Sequence, residues 1–445
     1  MERTVLHQLK EWKESKERKP LILNGARQVG KTWALREFAR REYRKEVYLV
    51  CRKNELLRKV FTQDFDVKRI MLALRALSKV DITPGDTLII LDEVQDIPEI
   101  LESLKYFCEE MPDYHIAVAG SLLGISLHPD VSFPVGKVNK IDVYPMDFGE
   151  FLLAMEEEEL YKLLQQKQYD VTNLLHDKCI NLLRQYYYVG GMPEAVKAFV
   201  ETTNLEQVRN IQQDILHGYE MDFSKHAPAE QVARIRMVWQ SIPSQLFKDN
   251  KKFIYGALRK GARANDFELA IQWLVAAGLI YKVPLCSKVA LPLGIYEDLS
   301  AFKLYLSDVG LLGAMVQIEP SQILVDNNIF TEYKGGMTEQ FVLQELKSCR
   351  SAFCNQSSDI YYHKSENSRL ELDFVIQHEG KVLPIEVKAG VSIRANSLTT
   401  LLRNNPNLKA LRCSMLPYKE QDQLVNVPLY AVSSFCRYIP NVPSL

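Results

Sequence analysis

The 445-residue chain has eight cysteines but no Cys-x-x-Cys pair, so neither a zinc cluster nor a disulfide framework is indicated. Long apolar runs are missing as well. The most apolar stretches, such as residues 116–127, fall short of a membrane span. Residues 1–20 are dense in Lys, Arg and Glu and hold no apolar core of signal-peptide length. The expectation is a cytoplasmic chain with reduced thiols and no membrane contact. No charge sign dominates: 55 Lys and Arg against 56 Asp and Glu leave a net charge of −1. That balance neither demands nor excludes nucleic acid, since basic patches can be local. Internal repeats and low-complexity linkers are also lacking. What is present is an ordinary globular composition, 47% hydrophobic and 25% charged. The chain is too long for one core and suits roughly two to four domains.

Residues 25–32, Gly25-Ala26-Arg27-Gln28-Val29-Gly30-Lys31-Thr32, have the spacing of a nucleoside-triphosphate phosphate loop. Gly25 and Gly30 let the backbone curl until successive N–H groups point inward at phosphate oxygens. Lys31 reaches the β- and γ-phosphates, and the Thr32 hydroxyl holds Mg²⁺. The flanks agree with this. Residues 21–24 read as a buried strand and 32–41 as a helix whose N-terminal dipole faces the anion. A plain Gly-rich turn before a helix is the competing explanation, and it leaves the strand–loop–helix context to coincidence.

Strand-like runs follow at 47–51, 87–91, 115–119 and 140–144, with helical patterns between most of them. They predict an α/β domain with a mainly parallel sheet over residues 1–150. The run 87–91 ends in Asp92-Glu93, two carboxylates at the sheet edge where ligands bind. Asp92 is placed to coordinate Mg²⁺ through water and Glu93 to polarise the attacking water. The strand candidate between loop and acidic pair, together with Glu93, points to the hydrolytic ATPase class. No Asn-Lys-x-Asp guanine signature occurs, which favours ATP over GTP. The fourth strand ends in Ala119-Gly120-Ser121. Ser121 suits a sensor of the γ-phosphate and equally the N-cap of a following helix.

The segments GARQVGKT, LIILDEVQ, AVAGS and VYPMDFGEFL together resemble a family of prokaryotic AAA+-like ATPases, over nearly the whole chain. The resemblance implies an ATPase domain followed by a helical and winged-helix region, 151–320, and a C-terminal domain of uncertain function, 321–445. It also implies an arginine just before the last core strand, serving as a finger to a neighbour's phosphate. Here that run is Val135-Gly136-Lys137-Val138. Lys137 carries charge without the bidentate fork, so a ring is not implied by it.

Residues 151–225 read as helices, broken at Gly190-Gly191-Met192-Pro193 by a tight interhelical turn. The stretch 225–263 then holds nine Lys or Arg against Glu230 and Asp249, a balance suited to DNA or RNA phosphates. A helix-turn-helix spacing is present: a helix 253–259, a turn at Gly261, a helix 266–276, a strand 279–283 and a wing strand 302–306. The second helix opens with Asp266 and Glu268, and its Leu269, Ile271, Trp273, Leu274 and Val275 look like core packing. Base reading, phosphate contact and interdomain packing all stay open.

From residue 335 the pattern predicts an amphipathic helix 338–347 and strands 360–363, 370–377 and 382–388. A two-residue turn at Glu379-Gly380 sets Asp373 opposite Glu386 and Glu371 opposite Lys388, all on one face. Directly opposed carboxylates destabilise a strand pair, and a divalent metal removes that penalty. The layout resembles the PD-(D/E)xK nuclease superfamily. That resemblance implies an α/β restriction-endonuclease-like fold with Asp373 and Glu386 as Mg²⁺ ligands. It makes Glu345, or else Glu339, the helix carboxylate that completes the site, and gives Lys388 the role of orienting the water. A Glu371–Lys388 ion pair on a solvated face explains half of these charges without chemistry. Two functions therefore stay open: an ATPase coupled to a nuclease-like module, and a nucleotide-switched interaction protein with a silent C-terminal domain that meets a protein partner or a second copy.

Overall fold

Five short apolar runs form the first sheet of this computed structural model: β1 (Leu21–Asn24), β2 (Lys45–Val50), β3 (Thr87–Asp92), β4 (His115–Ala119) and β5 (Asn139–Asp142). The structure describes residues 2–120, 134–248, 251–324, 334–349, 360–365, 370–378, 380–390 and 396–437. The strands are all parallel in the order β2-β3-β4-β1-β5. Every residue of β3 and β4 is buried, as expected when helices cover both faces of a parallel sheet. On one face Ile22, Val47, Ile89 and Val118 pack with Leu57, Phe61, Ile70 and Phe107 of the covering helices. β4 lies between β1 and β3, and Ala119 pairs with Leu23 on one side and Asp92 on the other. The ends of the loop strand and the acid strand therefore flank the end of β4.

The chain divides into two compact units. Glu2–Tyr144, with Ala276–Gly278, carries the parallel sheet; Pro145–Val275 and the residues from Leu279 onward form the other.

The second unit begins with helices from Phe148–Ala154 to Ala229–Leu246. Asp147 starts the first of them in a reciprocal capping box with Glu150. The Gly190-Gly191 break has a packing reason that its sequence does not reveal. A methyl group on Gly191 would lie 2.0 Å from the Met146 carbonyl oxygen. The Gly191 N–H donates to Asp308 Oδ2 at 2.6 Å, and its carbonyl accepts from Met146 N at 2.6 Å. Asp308 also caps the helix Val309–Met315 through the Leu311 N–H. The turn is thus a junction of three segments.

Eight strands make the second sheet: β6 (Ile280–Cys286), β7 (Glu297–Leu306), β8 (Tyr361–Lys364), β9 (Glu371–His378), β10 (Lys381–Lys388), β11 (Ala410–Ser414), β12 (Lys419–Gln421) and β13 (Leu424–Pro428). Their order is β12-β13-β11-β10-β9-β8-β6-β7. The two expected strands form a hairpin, since β6 and β7 are antiparallel. It is not separate, because β6 also pairs in parallel with β8 through Leu285↔Tyr362. Strands from either side of residue 320 therefore share one sheet. The helix expected at 253–259 is only a 3₁₀ turn, Tyr255–Ala257. Phe253 spends its N–H on the Phe302 carbonyl of β7 at 2.8 Å and stacks on the Phe302 ring, so the start of the expected helix is tied to the sheet instead. The helix Lys334–Ser348 is buried on all sides from Gly336 to Leu346, not amphipathic. Its polar side chains must find partners inside the protein.

Candidate functional site

The phosphate loop follows β1 directly and leads into the helix Lys31–Glu42. Gly25 and Gly30 have φ of +148° and +94°, and a Cβ on Gly25 would lie 2.3 Å from the Val143 carbonyl oxygen. Both positions therefore need glycine. Lys31 is buried, and its Nζ donates to the carbonyls of Gly25 at 2.8 Å and Ala26 at 2.7 Å. Burial pulls its pKa down to about 8, with Glu93 and Asp92 opposing the shift. The Thr32 hydroxyl donates to Asp92 Oδ2 at 2.7 Å, so the two sequence-assigned Mg²⁺ positions are in contact. A hydroxyl and a carboxylate are hard oxygen donors, which suits Mg²⁺ beside a triphosphate.

Several partners of this site escaped sequence reasoning. Tyr48 on β2 donates to Asp92 Oδ2 at 3.0 Å, and the Glu93 N–H donates to Asp92 Oδ1 at 2.9 Å. The carboxylate is thus fixed from three sides. Buried Arg3 braces the loop from outside, donating to the Val29 carbonyl at 3.0 Å and the Tyr144 carbonyl at 2.8 Å. No spacing signal links a terminal arginine to a loop 26 residues on. Ser121 lies outside the described residues. Lys137 precedes β5 and pairs with Glu109 at 2.9 Å. Asn139 bonds to the Pro20 carbonyl just before β1, which puts Lys137 at the edge of the parallel sheet opposite its own phosphate loop.

In the second unit, β9 and β10 pair antiparallel with Phe374 opposite Ile385. The paired register ends there, one residue short of Asp373 and Glu386. Asp373 Oδ2 accepts the Val387 N–H at 2.7 Å. The cations nearby differ from the sequence reading. Lys388 pairs with Glu386 on its own strand at 2.6 Å, while Glu371 pairs with Lys303 at 3.2 Å and Lys364 at 3.5 Å. Lys303, on β7, is 1% exposed and also lies 3.8 Å from Glu339. Glu339 is further ion-paired to Lys251, accepts the Tyr305 hydroxyl at 3.0 Å, and shares a hydrogen bond with Asp373. Burial and the facing Glu339 carboxylate push the Asp373 pKa up. Burial works against the Glu339 charge as well, but Lys251 and Lys303 outweigh it and hold that carboxyl low. Asp373 thus faces Glu339, which two lysines neutralise, while Glu386 is neutralised by Lys388 on its own strand. Among the described residues, no three of His, Cys, Asp and Glu are grouped to hold a metal ion.

Lys251 belongs to the basic stretch 225–263 and turns inward; most of the other cations of that stretch stay exposed.

Glu345 does not join Asp373 and Glu386. Six residues beyond Glu339, it leaves the helix about 120° around the axis. Its Oε1 accepts the Phe148 N–H at 3.0 Å. Burial, with Glu150 nearby, raises its pKa to about 8. A carboxyl raised in the folded state costs stability as pH climbs from its ordinary value of 4.5 to about 8. Glu345→Gln removes that cost, so thermal melts should show the variant gaining on the parent from pH 5 to pH 9, by about 3–5 kcal/mol at the top. Parallel melting curves across that range would contradict the assignment.

Residues 17–152 match the family model of the AAA domain. Residues 180–322 match a domain of unknown function, DUF8612, and residues 334–432 match another, DUF4143. No curated protein matches the chain. Among solved structures, the chain is similar to the Walker-type ATPase PABY2304 of Pyrococcus abyssi, at 14% identity over 70% of this chain and 95% of that one, with a TM-score of 0.44. It is also similar to the Aeropyrum pernix ORC1 protein, solved in complex with DNA, at 14% identity over 71% and 90% of the two chains and a TM-score of 0.27. Protein VC1899 from Vibrio cholerae is similar at 11% identity over 94% and 98%, with a TM-score of 0.21. The AAA match falls on the residues that build the loop, the acidic pair and the parallel sheet. The first unit carries an AAA domain, and the protein is an ATPase.

Proposed function

We propose that the protein is a nucleotide-switched ATPase whose C-terminal region docks a partner and cuts nothing. At the nucleotide site, Lys31 and the loop N–H groups bind the ATP phosphates, Thr32 and Asp92 hold Mg²⁺, and Glu93 polarises the attacking water. The observation that carries the silent C-terminal reading is the buried cluster of Lys303 and Lys251 with Glu339 and Asp373. Lys251 and Lys303 neutralise Glu339, the helix carboxylate that faces Asp373, and Lys303 also pairs with Glu371. No described helix is long and apolar enough to cross a membrane.

A second reading, an ATPase coupled to a nuclease-like module on DNA or RNA, draws on the antiparallel β9–β10 pair, which carries Asp373 and Glu386 next to its last paired residues, with Lys388 beside Glu386. One experiment separates the two. The full chain is incubated with plasmid and short single strands, with ATP and Mg²⁺ or Mn²⁺, next to Asp373→Asn and Lys388→Ala. Pull-downs are run in parallel in ATP and in ADP. We expect no cleavage, and capture of protein partners that depends on the nucleotide and is indifferent to Asp373→Asn. Metal-dependent cutting that disappears in Asp373→Asn would replace the first reading with the second.

A further inference from the structure

Glu93 has φ of +57°, a left-handed backbone that non-glycine residues adopt at a cost. It opens a 3₁₀ turn, Val94–Asp96, which is firmly anchored. Val94 and Ile97 are buried in the core of the first unit, and Arg58 Nη2 donates to the Asp96 carbonyl at 2.6 Å. From this turn the side chain of Gln95 reaches back, and its Nε2 donates to Glu93 Oε2. An ionised carboxylate only accepts hydrogen bonds, so the amide must present its nitrogen to Glu93. The other end of the same amide, Gln95 Oε1, is buried with no hydrogen-bond partner.

Buried polar atoms without partners are rare and call for an explanation. Gln185 and Gln231 also carry an unpartnered Oε1, so what singles out Gln95 is the acid that its nitrogen holds. Here one end is left unpaired while the other is committed to Glu93, and the Glu93 backbone is bent into an unfavourable region at the same place. We propose that Gln95 is a positioning residue for ATP hydrolysis. Its amide holds Glu93 Oε2 and so fixes the carboxylate plane, leaving Oε1 as the oxygen that receives the proton of the attacking water. The inference rests on Glu93 being the water-polarising group. In the step it serves, the water oxygen bonds to the γ-phosphorus and the bond from that phosphorus to the β–γ bridging oxygen breaks. The bridging oxygen leaves with its electron pair on ADP, and the water's proton passes to Glu93 and then to the released phosphate. Gln95 touches neither water nor nucleotide; it orients the acceptor.

The test is Gln95→Met, which keeps the length and most of the volume and removes the donor, beside Gln95→His, which restores an N–H donor. In steady-state ATPase assays with the full chain, Gln95→Met should lower kcat about tenfold to a hundredfold, the range expected for a misplaced catalytic group. Its affinity for ATP, titrated directly, should stay within about twofold of the parent, and Gln95→His should regain most of the rate. In a Glu93→Gln background, adding Gln95→Met should cost nothing further, because the group it positions is already disabled. A parental kcat in Gln95→Met, a loss confined to KM, or full additivity with Glu93→Gln would overturn the proposal. If Glu93→Gln itself hydrolyses ATP at the parental rate, the reading of Glu93 fails instead, and the two failures are told apart.

Discussion

Glu93→Gln is expected to lower kcat for ATP hydrolysis by about 10²–10⁴-fold, the range for loss of a general base, with ATP affinity nearly unchanged. The geometry separates the two effects. Asp92, not Glu93, contacts Thr32 and Tyr48, so the proposed Mg²⁺ position does not depend on the second acid. Glu93 lies one residue further and is held by Gln95. Replacing its carboxylate by an amide removes the proton acceptor and leaves the loop, Lys31 and Asp92 in place. Lys31→Ala should act the other way round. Its Nζ rests on the carbonyls of Gly25 and Ala26 and can exchange them for phosphate oxygens, so truncation should weaken ATP binding about tenfold to a hundredfold, as for a lost charge-assisted hydrogen bond. Direct ATP titration and single-turnover hydrolysis of both variants measure the split. Equal losses of affinity in the two would contradict the division of roles.

Much of the nucleotide site is legible in the sequence because its parts are local. Buried parallel strands are unbroken apolar runs, and a phosphate loop is a contiguous spacing, so β1, β3 and the residues at their ends can be read directly. What supports those residues is not local. Arg3, Tyr48 and Gln95 act through a fold that brings a terminal arginine, a neighbouring strand and a 3₁₀ turn to the loop and the acids, and no pattern marks them. The β9–β10 register is equally readable, since a Gly380 turn with φ of +71° fixes which residues face each other. The phase of the helix Lys334–Ser348 is not readable. Buried all round, it has no polar face to tell Glu339 from Glu345. The lysines are hidden for another reason: Lys303 belongs to a strand that, by sequence alone, looks like half of an isolated wing.

Lys303 supplies the other large effect. Lys303→Met should destabilise the folded protein by about 1–3 kcal/mol, the cost of taking one of two cations from a buried carboxyl cluster. Its Nζ lies between Glu339 and Glu371, and with it gone each keeps one partner, Lys251 and Lys364. The Lys303→Met, Asp373→Asn double variant should recover part of the loss, because the remaining Glu339–Lys251 pair then has no second carboxyl against it. Denaturant midpoints of the parent, both single variants and the double variant give the coupling. The same cluster makes a prediction about metal. With Lys251 and Lys303 on Glu339 and Lys388 on Glu386, Mg²⁺ or Mn²⁺ should stabilise the parent and Asp373→Asn equally, through the nucleotide site alone. An extra rise in melting temperature with metal, seen in the parent and lost in Asp373→Asn, would mean that a divalent ion displaces the lysines. The carboxylates of β9 and β10 would then form a metal site after all, and the nuclease-like reading would replace the docking one.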